Sequence, residues 1–553
     1  MVLHIDGKAM GADAALADSY RAAGWWQGDT VAELLTRLAQ SRPNDAAYIT
    51  QESKFTWGQY AAASDQIAAV LLSSGLATGD RVAIVLPDGA AVHAALVGVE
   101  KAGLIAVGIG ARAGDRELSH LLGKTGAKAV ITHETMSKDR PSSELWTKMS
   151  SEIQSLAHHI VVPNYAKAPQ SKIKLNGETA EPDVSLVGAQ RRLGPDDLYM
   201  LNSTSGTTGL PKCVMHTQNR WFYFHKMAMD SGGFKDDEVF MGAVPAPFGF
   251  GLWTAHFSPT ILGCPTVVME RFDADVALDL IERERVTVLC CVSTQFIMML
   301  NAQDKKPRDL SSLRSMYTGG EAVPYERAAE FEKVTGAPVL QFYGSNETGA
   351  LSYTSRRDTR EQRLKTAGKI IPDMHVRLFN PETGEDITGK QSTGQPGCKG
   401  PAVCLGYWDD EVANKKLYSK DGYMLMGDIV DIDSEGYLKV VGRTSDFIIR
   451  GGKNISAPAV EEEVGTHPEI AMVSAVAAPD KVFGERVCVY VVPKAGAEIT
   501  LDDIVAHLSA RGVTREWYPE HLVIMDELPR SSGGKVAKGD LREDARRRFG
   551  AAA

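Results

Sequence analysis

The chain has 553 residues, 44% hydrophobic and 24% charged. That is an ordinary globular composition with length for two or more domains. Its formal net charge of −10 gives no electrostatic basis for binding nucleic acid or an anionic membrane surface. Any anionic substrate would need local cationic groups.

The opening MVLHIDGKAM carries Asp6 and Lys8 where a secretory leader would be apolar, so no leader is expected. RVAIVL (81–86) predicts a buried strand, and GAAVHAALVGVEKAG (89–103) the helix that follows. The longest apolar stretch, AALVGVEKAGLIAVGIG, is interrupted by Glu100 and Lys101. It predicts a buried helix running into a strand rather than a membrane span. GIGARAG (108–114) is not a dinucleotide motif, because its third glycine comes one residue late. AKAVIT (127–132), PTVVME (265–270), VTVLCCV (286–292) and APVLQFY (337–343) predict further strands, each beside a helical segment. Such alternation means parallel α/β architecture. Residues 162–185 read as a polar, exposed loop with no assigned function.

From about 365 to 443 the pattern changes to short strands with Gly and Pro turns, as in MHVRLFN and EGYLKVVG. This predicts a small β-rich subdomain. Beyond 446, a helix PAVEEEVGTHPEI, strands VSAVAAPD and VCVYVVPK, and a helix LDDIVAHLSARG predict a compact α+β domain. The seven cysteines (213, 264, 290, 291, 398, 404, 488) show no CxxC pair and no zinc spacing. Reduced, buried thiols in a cytoplasmic protein are expected.

STSGTTGLPK (203–212) is too polar to pack a core. Small residues let backbone N–H groups and hydroxyls converge on an anion, with Lys212 adding a cation. It is not a Walker A loop. GGEAVP (319–324) and YGSNETG (343–349) each follow a strand. MGD (426–428), VGRTSDFIIRGGKNI (441–455) and LPRSSGGKVAK (528–538) complete the order. Together these motifs resemble the adenylate-forming superfamily of acyl-CoA synthetases, aryl-AMP ligases, peptide-synthetase adenylation domains and luciferases. The resemblance runs from TWGQYAAASDQIAAVL at 56 to Arg542. YRAAGWWQGDTVAELL and the C-terminal region are similar to the branch of aryl-acid AMP ligases and alicyclic or aromatic acid CoA ligases.

The resemblance implies a large N-terminal region (1–443) of two doubly wound α/β subdomains plus a small β-rich subdomain. A hinge at 444–445 and a small, mobile α+β C-terminal domain (446–553) follow. It also implies two half-reactions: a carboxylate attacks the α-phosphate of MgATP to give acyl-AMP, and a thiol, usually of coenzyme A, then displaces AMP. Positive charge must sit where negative charge develops. By this resemblance Thr204, Ser205, Gly206, Thr207, Thr208, Gly209 and Lys212 hold the β- and γ-phosphates. Lys535 bridges the carboxylate and the α-phosphate. Glu347 holds Mg²⁺, which prefers oxygen ligands. Asp428 takes the ribose hydroxyls, with Arg443 nearby for ribose or phosphate. Tyr343 stacks adenine against the Gly319–Gly320 turn, and Glu321, Gly344, Ser345 and Asn346 belong to the same nucleotide site. Rotation about Ser445 exchanges the half-reactions, after which Gly451 and Gly452 line the coenzyme A tunnel.

Several positions depart from the family pattern. Cys213 replaces the glycine of PKG, and Gln218 a histidine. Asn346 and Met426 each replace a threonine, and Ser445 an aspartate or lysine. Several of these losses fall around the ATP site and raise the alternative of a non-adenylating enzyme, fed with acyl-AMP by a partner; tolerated drift is the plainer reading. The retained Lys535 opposes that alternative. In the acid pocket, Phe248 stands where relatives gate the carboxylate, with Gly249 and Phe250 beside it. Gly249 has no side chain to read a 2-hydroxyl, which disfavours salicylate-type acids. Phe248, Phe250, Trp253 and Phe257 offer apolar surface, although core packing explains Trp253 and Phe257 equally well. The expectation is an acyl-CoA ligase for a bulky apolar acid: alicyclic, aromatic, terpenoid or steroid-like. Loading of a carrier protein is an alternative, and the oligomeric state, a homodimer included, stays open.

Overall fold

In a computed structural model, residues 4–550 are described except 6–7, 137–138, 169–170, 189–192, 204–210, 321–322, 444–446, 451–452 and 531–534. The chain builds two large sheets, each with a parallel centre. In the first, His158–Val161, Ala129–Thr132, Arg81–Ile84, Ile105–Gly108 and Met200–Ser203 run parallel, and Cys213–His216 closes one edge antiparallel. In the second, Ala46–Ile49, Thr266–Val268, Phe240–Gly242, Val288–Cys290, Ser315–Gly319 and Val339–Ser345 are parallel. Gly349–Tyr353 and Lys369–Ile370 extend it antiparallel.

Burial explains why these strands read as unbroken apolar runs. Successive residues of the second sheet enter different cores. Met316, Leu289 and Val339 pack with the helices Ala274–Glu284, Ser293–Lys305 and Tyr325–Thr335. Tyr317, Val288 and Leu340 join the larger core shared with the first sheet. A strand covered on both faces has no solvent side to mark with polar residues. The helix Ala90–Lys101 is buried along almost its whole length, Glu100 included, as expected for a helix apolar all round. No helix among the described residues is long and apolar enough to cross a membrane. All seven cysteines are buried and free of disulfides.

The third sheet joins Arg377–Phe379, Thr393–Cys398, Asp428–Ile432 and Leu438–Arg443. The next strand, Phe447–Arg450, belongs to a fourth sheet with Lys453–Ser456, Gly484–Pro493, Ile470–Asp480 and His521–Ile524. Sheet membership therefore changes across 444–446.

Two expectations need correction. Part of 162–185 is not loop: Lys174–Leu175 and Glu178–Thr179 pair antiparallel and extend the first sheet beyond His158–Val161. Ile173 beside them is buried. The helix expected over 458–470 spans Ala457–Gly465. Glycine and the following His-Pro stop it, and Ile470 already begins a strand.

Candidate functional site

The candidate residues gather at the carboxyl ends of parallel strands, where open α/β sheets place their ligand sites. Met200–Ser203 leads into the Ser/Thr/Gly loop, Ser315–Gly319 into Gly320, and Val339–Ser345 into Asn346 and Glu347. Of the expected site residues, Thr204 to Gly209, Glu321, Ser445, Gly451 and Gly452 lie outside the described residues.

The Lys535 ammonium donates to the Gly320 carbonyl at 2.9 Å, reaching from the C-terminal region to the end of a second-sheet strand. Gly320 has φ +79°, and a Cβ there would lie 2.5 Å from the Lys535 nitrogen. Glycine takes this turn without strain and leaves the lysine room. Nearby, Arg530 donates to the Met298 sulfur at 3.1 Å.

On another wall the Tyr343 hydroxyl donates to Asp428 at 2.9 Å. Asp428 in turn stands opposite Arg443 across an antiparallel ladder; only the backbone of Arg443 is described. The Tyr407 hydroxyl donates to Glu347 Oε1 at 2.7 Å, and the Lys212 ammonium lies 4.6 Å from the centre of the same ring. One tyrosine thus orients the acid and receives the lysine as a cation–π partner. Burial, and next the Glu347 charge, push the Tyr407 hydroxyl pKa up, so it stays a donor.

Beneath Asn346 runs a buried polar relay. The Arg220 side chain is buried, and it donates to the carbonyls of Ala402 at 2.8 Å, Asn346 at 2.9 Å and Glu347 at 3.3 Å. It also donates to His216 Nδ1 at 2.6 Å. Guanidinium cannot accept, so the histidine proton must be on Nε2. That atom donates to Asn202 Oδ1 at 2.7 Å. Burial, and then the Arg220 charge, hold His216 well below the ordinary histidine range, which keeps the ring neutral. Asn202 Oδ1 also receives Asn346 Nδ2 at 2.6 Å. Asn202 Nδ2 donates to the Pro247 carbonyl at 3.1 Å and to Asn346 Oδ1 at 3.3 Å.

Gly249 faces this relay. A Cβ there would lie 3.1 Å from the Trp221 ring and 3.3 Å from Asn346 Oδ1. Phe248, Gly249 and Phe250 are each partly exposed. Trp253 and Phe257 are fully buried, with Trp253 packed on Tyr317 and Phe342, so core packing accounts for both.

Ser345 and the residues that depart from the family pattern also make structural contacts. Ser345 Oγ accepts from the backbones of Glu347 and Thr348 at 3.2 and 3.1 Å, holding the turn. Cys213 is buried, and burial pushes its thiol up to about 12. Gln218 is buried and accepts from the Val31 backbone at 2.8 Å. Met426 packs into the large core. Sequence reasoning missed Asn202, His216, Arg220, Trp221 and Tyr407. The only signal was nearness to the Ser/Thr/Gly loop, which Asn202 directly precedes and which His216, Arg220 and Trp221 follow in VMHTQNRW; for Tyr407 there was none.

Comparison with known proteins gives a consistent result. A family model described as AMP-binding enzyme matches residues 35–408, and one for the AMP-binding enzyme C-terminal domain matches 459–535. The chain is 30% identical over 541 residues to the medium-chain fatty-acid–CoA ligase of Escherichia coli K12, covering 96% of this chain and 93% of that one. It is 31% identical over 543 residues to the pyochelin synthase PchD of Pseudomonas aeruginosa, covering 98% and 97%. Among solved structures, ATP-bound MatB from Rhodopseudomonas palustris matches with a TM-score of 0.79 and 25% identity, over 94% of this chain and 99% of that one.

Proposed function

The chain belongs to the AMP-binding enzyme family and is an AMP-forming acid–thiol ligase, and we propose that it activates a bulky, largely apolar carboxylic acid and passes the acyl group to coenzyme A. The observation that carries this reading is the Lys535 ammonium at the Gly320 carbonyl, 2.9 Å away. A flexible cation delivered across the second-sheet strand ends suits a reaction that joins two anions.

In the first step a carboxylate oxygen attacks the α-phosphorus, and the bond to the β-phosphate oxygen breaks, releasing pyrophosphate. Lys535 offsets charge on the carboxylate and the α-phosphate. Lys212 and the loop 204–209 take the β- and γ-phosphates. Tyr343 and Asp428 receive the nucleoside. Glu347, oriented by Tyr407, is the carboxylate proposed for Mg²⁺. No group of three acidic, histidine or cysteine side chains among the described residues could hold a metal. Mg²⁺ would accordingly arrive with the phosphates, as it commonly does. In the second step the thiol sulfur attacks the acyl carbon, the mixed anhydride bond breaks, and AMP leaves. Lys535 must withdraw for this, so the reading includes rotation of residues 446–553 about 444–445, with Gly451 and Gly452 along the thiol's path.

Phe248 and Phe250 beside Gly249 supply apolar wall for the acid. The fatty-acid ligase named above supports both an apolar acid and coenzyme A as acceptor. The location expected for such an enzyme is the cytoplasm. The test is mass spectrometry of reactions holding MgATP, a panel of apolar acids, and either free coenzyme A or a phosphopantetheinyl carrier protein. Thioester on free coenzyme A is expected. Thioester on the carrier alone would replace that acceptor.

A further inference from the structure

Lys535 is carried by a short antiparallel ladder of the C-terminal region. Arg530 pairs with Val536, and the Ala537 N–H donates to the Pro529 carbonyl at 2.8 Å. Just beyond, the Lys538 ammonium meets Glu461 at 2.8 Å, which ties the ladder to the helix Ala457–Gly465.

Arg530 reaches out of its own region. Its guanidinium donates to the Met298 sulfur at 3.1 Å. Met298 lies on the helix Ser293–Lys305, which follows the strand Val288–Cys290. Gly320, the partner of Lys535, follows the adjacent parallel strand Ser315–Gly319. The ladder therefore meets the second sheet beyond the ends of two neighbouring strands. One contact would leave it free to pivot, whereas two hold the direction in which the lysine points.

The chemistry of the second contact suits repeated release. A thioether sulfur is uncharged and a weak acceptor. Arg530 also pairs with Glu527 of its own region at 3.3 Å. On leaving Met298 the guanidinium keeps that carboxylate, so no charge is stranded and only a weak bond is lost. A carboxylate in place of the sulfur would bind the guanidinium more strongly and resist withdrawal.

Resting on the ligase reading above, we propose that Arg530 is a positioning residue for the adenylation step. Through Met298 it aligns Lys535 with the carboxylate and the α-phosphate, and it lets go when the C-terminal region turns. It acts through Lys535 rather than on the substrates.

The experiment uses full-length protein: wild type, Arg530→Ala, Met298→Leu, Lys535→Ala and the Arg530→Ala/Lys535→Ala double variant. Pyrophosphate release is followed with MgATP and a panel of apolar acids, and thioester formation with synthetic acyl-AMPs and coenzyme A. Arg530→Ala is expected to lower kcat for pyrophosphate release about 10- to 100-fold, as a catalytic group misplaced by about an ångström does. Thioester formation should stay nearly unchanged. Met298→Leu keeps the volume but removes the acceptor, and should slow the same step. In the Lys535→Ala background Arg530→Ala should cost nothing further, because the group it positions is gone. A merely structural role would slow both half-reactions and cost the same in either background. That pattern, or unchanged pyrophosphate release in Arg530→Ala or Met298→Leu, would overturn the inference and leave the ligase reading standing. Wild-type protein that releases no pyrophosphate with any acid would overturn both.

Discussion

Lys535 Nζ donates to the main-chain oxygen of Gly320 at 2.9 Å, although 215 residues separate them. The C-terminal region therefore sits with its lysine at the strand ends where phosphates and carboxylate would meet. For Lys535→Ala the expected outcome is a fall of about 100-fold or more in pyrophosphate release. Thioester formation from synthetic acyl-AMP should change far less. Stopped assays of the two half-reactions on one preparation check this. Equal loss in both would contradict a role confined to the first.

Tyr343 and Asp428 form the second contact that can be tested alone. Tyr343→Phe removes the 2.9 Å hydrogen bond and keeps the ring. A hydrogen bond to a carboxylate is worth about 1.5–3 kcal/mol net. The expected result is a rise of about ten-fold or more in KM for ATP, with kcat for pyrophosphate release little changed. An unchanged KM would remove Asp428 from the nucleotide site.

Arg220 holds three carbonyls and one histidine nitrogen in the interior. Arg220→Met removes this donor from His216 Nδ1 and from the Ala402 and Asn346 carbonyls, at about 1–3 kcal/mol for each one left unpaired; the Glu347 carbonyl keeps the Cys404 N–H at 2.8 Å. Lower thermal stability and slower pyrophosphate release are expected together. Arg220→Lys should restore little, because an ammonium cannot reproduce the planar fork. Full rescue by lysine would reduce Arg220 to a simple charge.

Two buried histidines fix an acid limit on stability. Burial lowers His159 and His225 from 6.5 to about 4. Both rings are neutral in the fold, and the unfolded chain binds the extra protons. Their stabilisation is complete above about 6.5 and is lost as pH falls toward 4. Each costs up to about 1.4 kcal/mol per pH unit in that window. Urea midpoints at pH 7.5 and 5.0 should differ accordingly, and less so in His225→Gln. A midpoint flat across the window would contradict the assignment.

The strand and helix alternation was legible because doubly covered strands must be apolar throughout. The hairpin at 174–179 was not, since two-residue edge strands built from Lys, Leu, Glu and Thr leave no periodic trace. In the site, Lys535, Glu347, Tyr343 and Asp428 stood out through the order of motifs. The relay did not. Arg220 meets Asn346 across 126 residues, and no local pattern encodes such a contact. Asn346, Gly249 and Gln218 looked in sequence like separate departures from a pattern. In the fold, Gln218 accepts from the Val31 backbone, whereas Gly249 and Asn346 face each other. Substitutions that look alike in a motif thus part into one that ties down a distant backbone and two that meet each other.

The measurement that bears most directly on the central claim separates the half-reactions. Full-length protein is given MgATP and a panel of apolar acids while pyrophosphate is followed, then synthetic acyl-AMP and coenzyme A while thioester is followed. Both signals from the same acid are expected, as Lys535 at Gly320 requires. Thioester from acyl-AMP, with no pyrophosphate from any acid that binds, would contradict the account and mean that another enzyme makes the adenylate.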